Sequence, residues 1–439
     1  MSSRDPGQIY AEASALQRAN RAAEAEPLYR RILELDPNHV GALHMLGVLE
    51  LQRGLAQQAA ELIGRAVTLD DRSVPRHFNL ALALYQLDRF DEAIAACRAA
   101  LRLKADFAPA LYTMALSLKD LGRLDEAIAA YQAAQSHAPN LAEAHYGEGF
   151  ARLMKGDFAA GWRKFEWRRH IFPQRTNYPQ PQWTGQDIGG RTLLIHGEQG
   201  QGDNIHFLRY APLAAERGAK VIVETYASLV PLMRSLPGVE RVIGFGDPAP
   251  RFDFHCPAMS LPALFGPAIP SAAYLSADPA RTQAWRERLA ALPGRKIGIA
   301  WRGNPEQSEN KRRSLSAGQM AACFAGGTAV PVCLQKDRTA EELAAFGPLI
   351  DAAPDLVDFA ETAALIGALD LVLTVDTAVC HLAGALGAPV WTLLSFAPDW
   401  RWQEKREDSP WYPSMRLFRQ ARPGEWGPAI DKVRAALNA

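Results

Sequence analysis

The stretch Asp88-Arg-Phe-Asp-Glu-Ala-Ile-Ala-Ala-Cys-Arg-Ala-Ala100 returns thirty-four residues later as Gly122-Arg-Leu-Asp-Glu-Ala-Ile-Ala-Ala-Tyr-Gln-Ala-Ala134. Three series of small residues keep the same period: Gly47, Ala81, Ala115 and Gly149; Ala59, Ala93 and Ala127; Ala66, Ala100 and Ala134. Turn residues Gly54, Asp88, Gly122 and Gly156 fall between the two helical segments of each unit. Two helices cross closely only where the side chains between them are small, so a Gly or Ala marks each crossing. Leu46, Leu80, Met114, Ile63 and Tyr131 fill the space that remains. Such a unit cannot bury its apolar face alone, and a solenoid follows.

A weaker first unit (Ala13, Ala25, Tyr29, Pro37) precedes three good ones, and the pattern degenerates after Gly156. There the small residue is Gly161, inside Phe158-Ala-Ala-Gly-Trp-Arg-Lys-Phe-Glu-Trp-Arg-Arg. This aromatic and basic stretch reads as the seam to the next domain, with an exposed basic helix as the alternative. Across residues 6–155 the pattern resembles the tetratricopeptide repeat. His44, Phe78, Tyr112 and Tyr146 share one place in successive first helices and form a candidate acceptor groove for an extended peptide or glycan. An aromatic is common at that place in such repeats, which is the plainer explanation. One position on, only Asn79 supplies an asparagine, so an asparagine ladder gripping peptide backbone is not expected.

Punctuation changes further along. Six of the 30 prolines lie before residue 170, and beyond it apolar runs alternate with Gly/Pro breaks. Arg191-Thr-Leu-Leu-Ile-His reads as a strand, Asp203–Arg217 as a helix and Lys220-Val-Ile-Val-Glu as a second strand. Shorter apolar runs near Val242 and Phe252 continue the series. The alternation restarts at Lys296-Ile-Gly-Ile-Ala-Trp and proceeds through Val330–Leu334, Leu371–Val375 and Pro389–Leu394. Repeated strand–helix alternation implies parallel sheets covered on both faces. The expected class is therefore α + α/β: a repeat solenoid with its seam helix over 1–170, one Rossmann-like half over 186–292 and a second over 293–439. Ligands of such sheets sit at the carboxyl ends of the strands.

Composition narrows the function. In 439 residues, 48 basic side chains meet 48 acidic ones, which argues against a nucleic-acid binder. No apolar run approaches the roughly 18 residues needed to span a bilayer, and the first residues lack an apolar signal core. Five scattered cysteines form no C-x-x-C pair, so neither a disulfide framework nor a cysteine zinc site is expected. A cytoplasmic protein is the resulting expectation.

Two motifs carry candidate chemistry. In His196-Gly-Glu-Gln-Gly-Gln-Gly-Asp-Asn, glycines after a strand open a helix, where they permit positive φ and leave amides uncovered. Gly200, Gly202 and Asn204 form the acceptor-side loop and aim Asp203 into the cleft; simple helix capping is the alternative for Asp203. The spacing is neither a Rossmann nor a Walker loop. In Thr374-Val-Asp-Thr-Ala-Val-Cys-His, a helix opens at Asp376-Thr377-Ala378, where amides and dipole favour a diphosphate by roughly 0.3–1 kcal/mol per charge. That is too little against hydration, so cations must help: Arg302, the Lys311-Arg312-Arg313-Ser314 run and Lys336 all follow strand ends of the same half. Phe396-Ala-Pro-Asp-Trp-Arg-Trp walls a sugar or base pocket or packs the domain base.

Together these pieces resemble the bacterial glycosyltransferases related to the lipopolysaccharide heptosyltransferases (glycosyltransferase family 9), in the subgroup fused to tetratricopeptide repeats. The resemblance rests on residues 197–203, Trp301-Arg-Gly-Asn304, Arg313-Ser314, Leu334-Gln-Lys336, 375–383 and 396–402, and spans essentially the whole chain. It implies a GT-B pair of α/β domains with the nucleotide-sugar donor in the C-terminal half, and inverting transfer without a metal. Carried over by motif, Asp203 is the general base; Asp376, Thr377, Ala378 and His381 contact donor phosphate and sugar, and Lys336 a phosphate. Arg302, Asn304, Arg313, Ser314 and Gln335 complete the donor site. Ala378 stands where heptosyltransferases often carry Gly, so the sugar need not be heptose. No cofactor is expected beyond the nucleotide-sugar co-substrate, since Asp247, Asp253 and Asp399 are isolated and form no D-x-D metal signature. His196, His206 and His255 are reserve bases with a structural role as the plainer reading. The expected partners are that donor and a protein or peptide acceptor on the repeat groove, with lipid-linked or polysaccharide acceptors and the oligomeric state left open. Two other classes compete: a non-catalytic adaptor with a degenerate transferase domain, and a sugar-nucleotide epimerase.

Overall fold

The computed structural model describes residues 5–173, 178–304 and 310–439, and divides into two compact units between Arg152 and Leu153. The first unit is helical: α1 (Pro6–Arg18), α2 (Ala22–Leu35), α3 (Val40–Gln52), α4 (Ala56–Leu69), α5 (Val74–Gln86), α6 (Phe90–Leu103), α7 (Ala108–Asp120), α8 (Leu124–His137) and α9 (Ala142–Lys155), the last running past the division. Ala59, Ala66, Ala81, Ala93, Ala100, Ala115, Ala127 and Ala134 are all fully buried, as close helix crossing requires. At Gly47 a Cβ would lie 2.5 Å from Ile63 Cγ1, and at Gly147 2.5 Å from Tyr131 Cε1. All four turn residues are left-handed: Gly54 at φ 77°, Asp88 at 58°, Gly122 at 72° and Gly156 at 87°. A side chain at such φ costs roughly 1–2 kcal/mol, which Asp88 alone of the four carries.

The second unit begins in the seam. Helix α10 (Phe158–Phe165) starts on Asp157, whose side chain accepts from Ala160 N at 3.3 Å. Trp162 lies among Trp400 (5.0 Å), Phe165 (5.6 Å), Phe207 (6.0 Å) and Trp411 (6.4 Å). In the stretch read as a seam, Trp162 and Phe165 are buried, Phe158 and Trp167 half-buried, and Arg163 and Arg169 exposed.

Among the described residues ten strands follow: β1 (Thr192–His196), β2 (Lys220–Thr225), β3 (Val239–Gly244), β4 (Phe254–Pro257), β5 (Lys296–Ala300), β6 (Val330–Cys333), β7 (Ile350–Asp351), β8 (Leu371–Val375), β9 (Val390–Leu394) and β10 (Met415–Arg419). They form a four-stranded sheet, β3-β2-β1-β4, and a six-stranded one, β10-β9-β8-β5-β6-β7, with every named pair parallel. Ile297, Ile299, Leu371, Leu373, Val375 and Leu393 anchor the core of the larger sheet. The expected class, helical repeats and then two parallel α/β halves, is the one observed. Strands β7 and β10 were not anticipated. The helix read over Asp203–Arg217 is broken into α11 (Gln201–Phe207), a 3-10 turn at Leu208–Tyr210 and a helix at Ala211–Glu216 that carries a proline in its first turn. A proline there has no N–H for a continuous helix to use.

His196 ends β1 with its Nε2 3.2 Å from His255 Nδ1. Burial, reinforced by His255, pushes its pKa down to about 3. In the first unit burial likewise lowers His44 to about 4.

Two measurements test these packing arguments. Asp88→Gly should raise the thermal midpoint and Gly122→Ala should lower stability by about 1–2 kcal/mol; equal midpoints for both variants and the parent would show that left-handed turns carry no strain here. For His196, a folded pKa below the unfolded value near 6.5 means that the unfolded chain binds more protons between those pH values. Its contribution is therefore intact above about pH 6.5 and falls as pH drops toward about 3, by up to about 1.4 kcal/mol per pH unit. His196→Gln should flatten the acid slope of the urea midpoint, and an unchanged slope would assign acid sensitivity elsewhere.

Candidate functional site

Parallel strands deliver their following loops to one edge of each sheet, where the candidate residues of the two α/β halves lie. After β1 the loop 197–200 turns into α11. Its positive φ lies at Gln199 (51°), not at the glycines, which corrects the reading that glycines supply it. They provide space instead. A Cβ on Gly197 would sit 1.7 Å from Asn204 Oδ1, and one on Gly202 would lie 3.1 Å from His381 Cδ2 and 3.4 Å from Ala378 Cα. Asn204 is buried and pins the loop: its Nδ2 donates to the carbonyls of Glu198 (2.7 Å) and Gly200 (2.8 Å), and its Oδ1 accepts from Thr225 Oγ1 (2.9 Å). Below the loop Glu198 takes both Nε (3.3 Å) and Nη2 (2.8 Å) of buried Arg168, which also binds Glu166 (2.7 Å) and Ser260 (2.8 Å). The seam thus sets the loop from beneath.

Asp203 is the third residue of α11, and its Oδ2 accepts from the backbone N–H of Gly200 at 3.0 Å. The capping alternative therefore describes one of its oxygens. The other, Oδ1, accepts from Arg401 Nη2 at 2.5 Å. Arg401 also reaches Asp399 Oδ1 with Nη1 at 2.9 Å and lies over the rings of Trp400 (4.6 Å) and Phe207 (5.2 Å). Burial opposes its charge, but Asp399, Asp203 and Asp376 outweigh that and hold its pKa above the ordinary value.

The second motif opens where β8 ends. Thr377 caps the helix Ala378–Ala385, with its Oγ1 accepting from Val379 N at 3.3 Å. Asp376 is buried, and its Oδ2 accepts from Trp402 Nε1 at 2.8 Å. Burial first, then Asp399, pushes this carboxyl up to about 6 against Arg313, the Trp402 N–H and Arg401. His381 stacks on Trp402 (5.3 Å, 16°), with Nε2 3.8 Å from Asp376 Oδ1 and Nδ1 3.0 Å from the Tyr412 hydroxyl. That hydroxyl is also 3.1 Å from His206 Nδ1. Burial holds both histidines well below their ordinary pKa. Neutral rings are favoured there, and a hydroxyl can donate to one ring nitrogen and accept from the other. Gly384 makes this possible, because a Cβ there would meet Tyr412 Cδ1 at 2.4 Å.

The cations read from the sequence separate into two groups. Arg313 lies against Gly303, whose Cβ would meet its Nη2 at 2.9 Å, and it acts electrostatically on Asp376. Ser314 Oγ donates to Asn310 Oδ1 at 2.9 Å, and Asn304 is exposed at the start of this loop. Lys311's side chain lies outside the described residues. Arg302, after β5, leans one strand outward from β8: Nε donates to Asp337 at 3.1 Å and Nη1 to Glu342. Lys336, after β6, is exposed and places its ammonium on the Leu356 carbonyl, again one strand further out. Gln335 is buried and bonds to the backbone N–H groups of Trp301 (3.0 Å) and Arg302 (3.1 Å), joining the ends of β5 and β6. Trp400 and Trp402 are buried as well, so the 396–402 stretch packs the base and brings in Arg401.

Among the described residues Asp376, Cys380 and His381 place one ligand atom each within 4.8 Å of one another. The Cys380 thiol donates to the Thr377 carbonyl at 3.0 Å, and burial raises its pKa well above the ordinary value. A metal needs the thiolate, which this environment disfavours. In the repeats, His44, Phe78, Tyr112 and Tyr146 are each half-buried. Phe78 meets Phe107 edge-on at 5.3 Å, Tyr112 tilts on Tyr131 at 6.1 Å, and His44 Nε2 is 2.9 Å from Asn79 Nδ2. Among the described residues no helix is long and apolar enough to cross a membrane.

Sequence reasoning passed over Arg401 and Tyr412, which close the site from loops after β9 and before β10. The signal for the first was an arginine between two tryptophans; for the second it was Gly384, spaced to leave a ring-sized gap.

Comparison with known proteins agrees with this architecture. Residues 325–425 match the family model described as glycosyltransferase family 9 (heptosyltransferase), and residues 108–141 that of the tetratricopeptide repeat. Residues 18–100 match the model of anaphase-promoting complex, cyclosome, subunit 3. Protein FlbA of Caulobacter vibrioides is 29% identical over 502 aligned positions, covering 97% of this chain and 83% of that protein. Among solved structures, MamA (28% identity, TM-score 0.34) aligns over 35% of this chain and 91% of its own. YrrB, described as a TPR protein with an unusual peptide-binding site (21%, TM-score 0.36), aligns over 39% and 89%. The N-terminal part thus matches tetratricopeptide repeats, and residues 325–425 of the C-terminal part match glycosyltransferase family 9.

Proposed function

We propose that this chain is an inverting, metal-independent glycosyltransferase that moves a sugar from a nucleotide-diphosphate sugar to a protein or peptide acceptor bound by the repeats. One observation carries the reading. The Asp203 carboxylate of the first α/β half stands beside the loops of the second, bonded to Arg401 at 2.5 Å and one residue from Gly202, which abuts Ala378 and His381. Asp203 takes the proton of the attacking acceptor hydroxyl. As the new bond forms at the anomeric carbon, the bond to the diphosphate breaks on the opposite face and its electrons pass to the phosphate oxygen. Arg313, Thr377, and the amides opening the helix Ala378–Ala385 stabilise that charge. Arg302 and Lys336 join them by exchanging Asp337, Glu342 and the Leu356 carbonyl for phosphate oxygens.

The engagement of those two cations with the protein itself favours a second reading, the non-catalytic adaptor. Thermal-shift screening of UDP-, GDP-, ADP- and CMP-linked sugars separates the two: a specific shift supports the enzyme, and silence across the panel the adaptor. With the donor so identified, Asp203→Asn should cut turnover by about 10²–10⁴ while nucleotide affinity survives in calorimetry. Lys336→Ala should weaken nucleotide binding about tenfold or more, the loss of one charge-assisted bond. An unaltered dissociation constant would move the phosphate away from Lys336.

A further inference from the structure

Asp203 is held weakly by its own half. The seven-residue helix α11 gives its carboxylate one bond, from the Gly200 N–H to Oδ2. A carboxylate with one anchor keeps its rotational freedom, and a base must present a lone pair along a fixed line. The second anchor comes from the other half of the unit. Arg401 donates to Oδ1, so that each oxygen is fixed by a different donor while the side chain stays 22% exposed on the remaining side.

Arg401 is itself over-determined. Its Nη1 and its backbone N–H both bind Asp399 Oδ1, at 2.9 and 3.0 Å, and Trp400 and Phe207 lie against the guanidinium plane. Only 7% of its side chain is accessible. A planar fork placed in this way fixes direction as well as charge, which an ammonium does not.

We propose that Arg401 is the positioning residue through which the donor half holds the Asp203 carboxylate in line for proton transfer. The inference rests on Asp203 being the base of the proposed transferase. It makes the orientation of the base in one half depend on a donor from the other half.

The test uses the full chain with Arg401→Lys, Arg401→Met and Asp203→Asn, and the nucleotide sugar found in the donor panel. Arg401→Lys should lower kcat about 10- to 100-fold and leave KM for the donor within about threefold, the signature of a misdirected base. The double variant Asp203→Asn/Arg401→Lys should be no slower than Asp203→Asn alone. Losses that multiply in the double variant, or that appear in KM alone, overturn the proposal. Crystal structures of Arg401→Lys and Arg401→Met give a reading that needs no substrate, and the lysine variant keeps the buried charge should the methionine one fail to fold. The Asp203 carboxylate should rotate from its place, and a carboxylate that stays put on Gly200 alone refutes the positioning role. Full turnover in Asp203→Asn removes instead the base assignment beneath it, an outcome distinct from the others.

Discussion

The guanidinium of Arg401 is buried among three aspartates of the second unit. Taking Arg401 out of water is costly, and only close carboxylates with good geometry offset that cost. Asp203 and Asp399 supply direct bonds, and Asp376 adds its field. The consequence is mechanical. Asp203 belongs to the half built on β1–β4 and Asp399 to the half built on β5–β10, so the charge is satisfied only when the two halves meet in one register.

Around that pair the remaining contacts exclude water and fix orientation. Trp162, Phe165, Phe207, Trp400 and Trp411 form one aromatic mass that joins the seam helix to both halves. Arg209 crosses within the same layer with no carboxylate partner among the described residues. It donates to the carbonyls of His206 (2.8 Å) and Trp411 (2.9 Å) and lies over Tyr412 (4.5 Å) and Tyr274 (4.9 Å). Aromatic faces and carbonyl oxygens together substitute for an anion there. The Tyr412 hydroxyl, placed between two histidines, ties α11 to the helix Ala378–Ala385 without adding charge.

Much of the fold was legible because it depends on local spacing. The small residues at each crossing and the left-handed turns at Gly54, Asp88, Gly122 and Gly156 repeat a rule that holds within one unit of two helices. The strands ending at His196, Val375 and Leu394 were legible because parallel strands buried on both faces read as continuous apolar runs. Strand β10 was not. It lies between an aromatic stretch and a Pro-Gly turn, and only its pairing with β9 distinguishes it from a loop. The glycine-rich loop was located correctly and explained wrongly. Gly197 and Gly202 yield space to Asn204 and to the neighbouring helix, whereas Gln199 takes the left-handed bend.

The sequence by itself determined where chemistry-bearing side chains enter: Asp203 after a strand, Asp376 through His381 at a helix start, and cations after neighbouring strands. It did so because strand ends and helix starts are local features with local signatures. Which of those side chains face one another was decided by tertiary structure alone. Arg302 and Lys336 find nearer oxygens one strand outward, while Arg401, nearly two hundred residues after Asp203, arrives beside it. The physical reason is that a buried charge settles with the closest compensating group in space, and closeness in space is a property of the sheet order and the docking of the two halves.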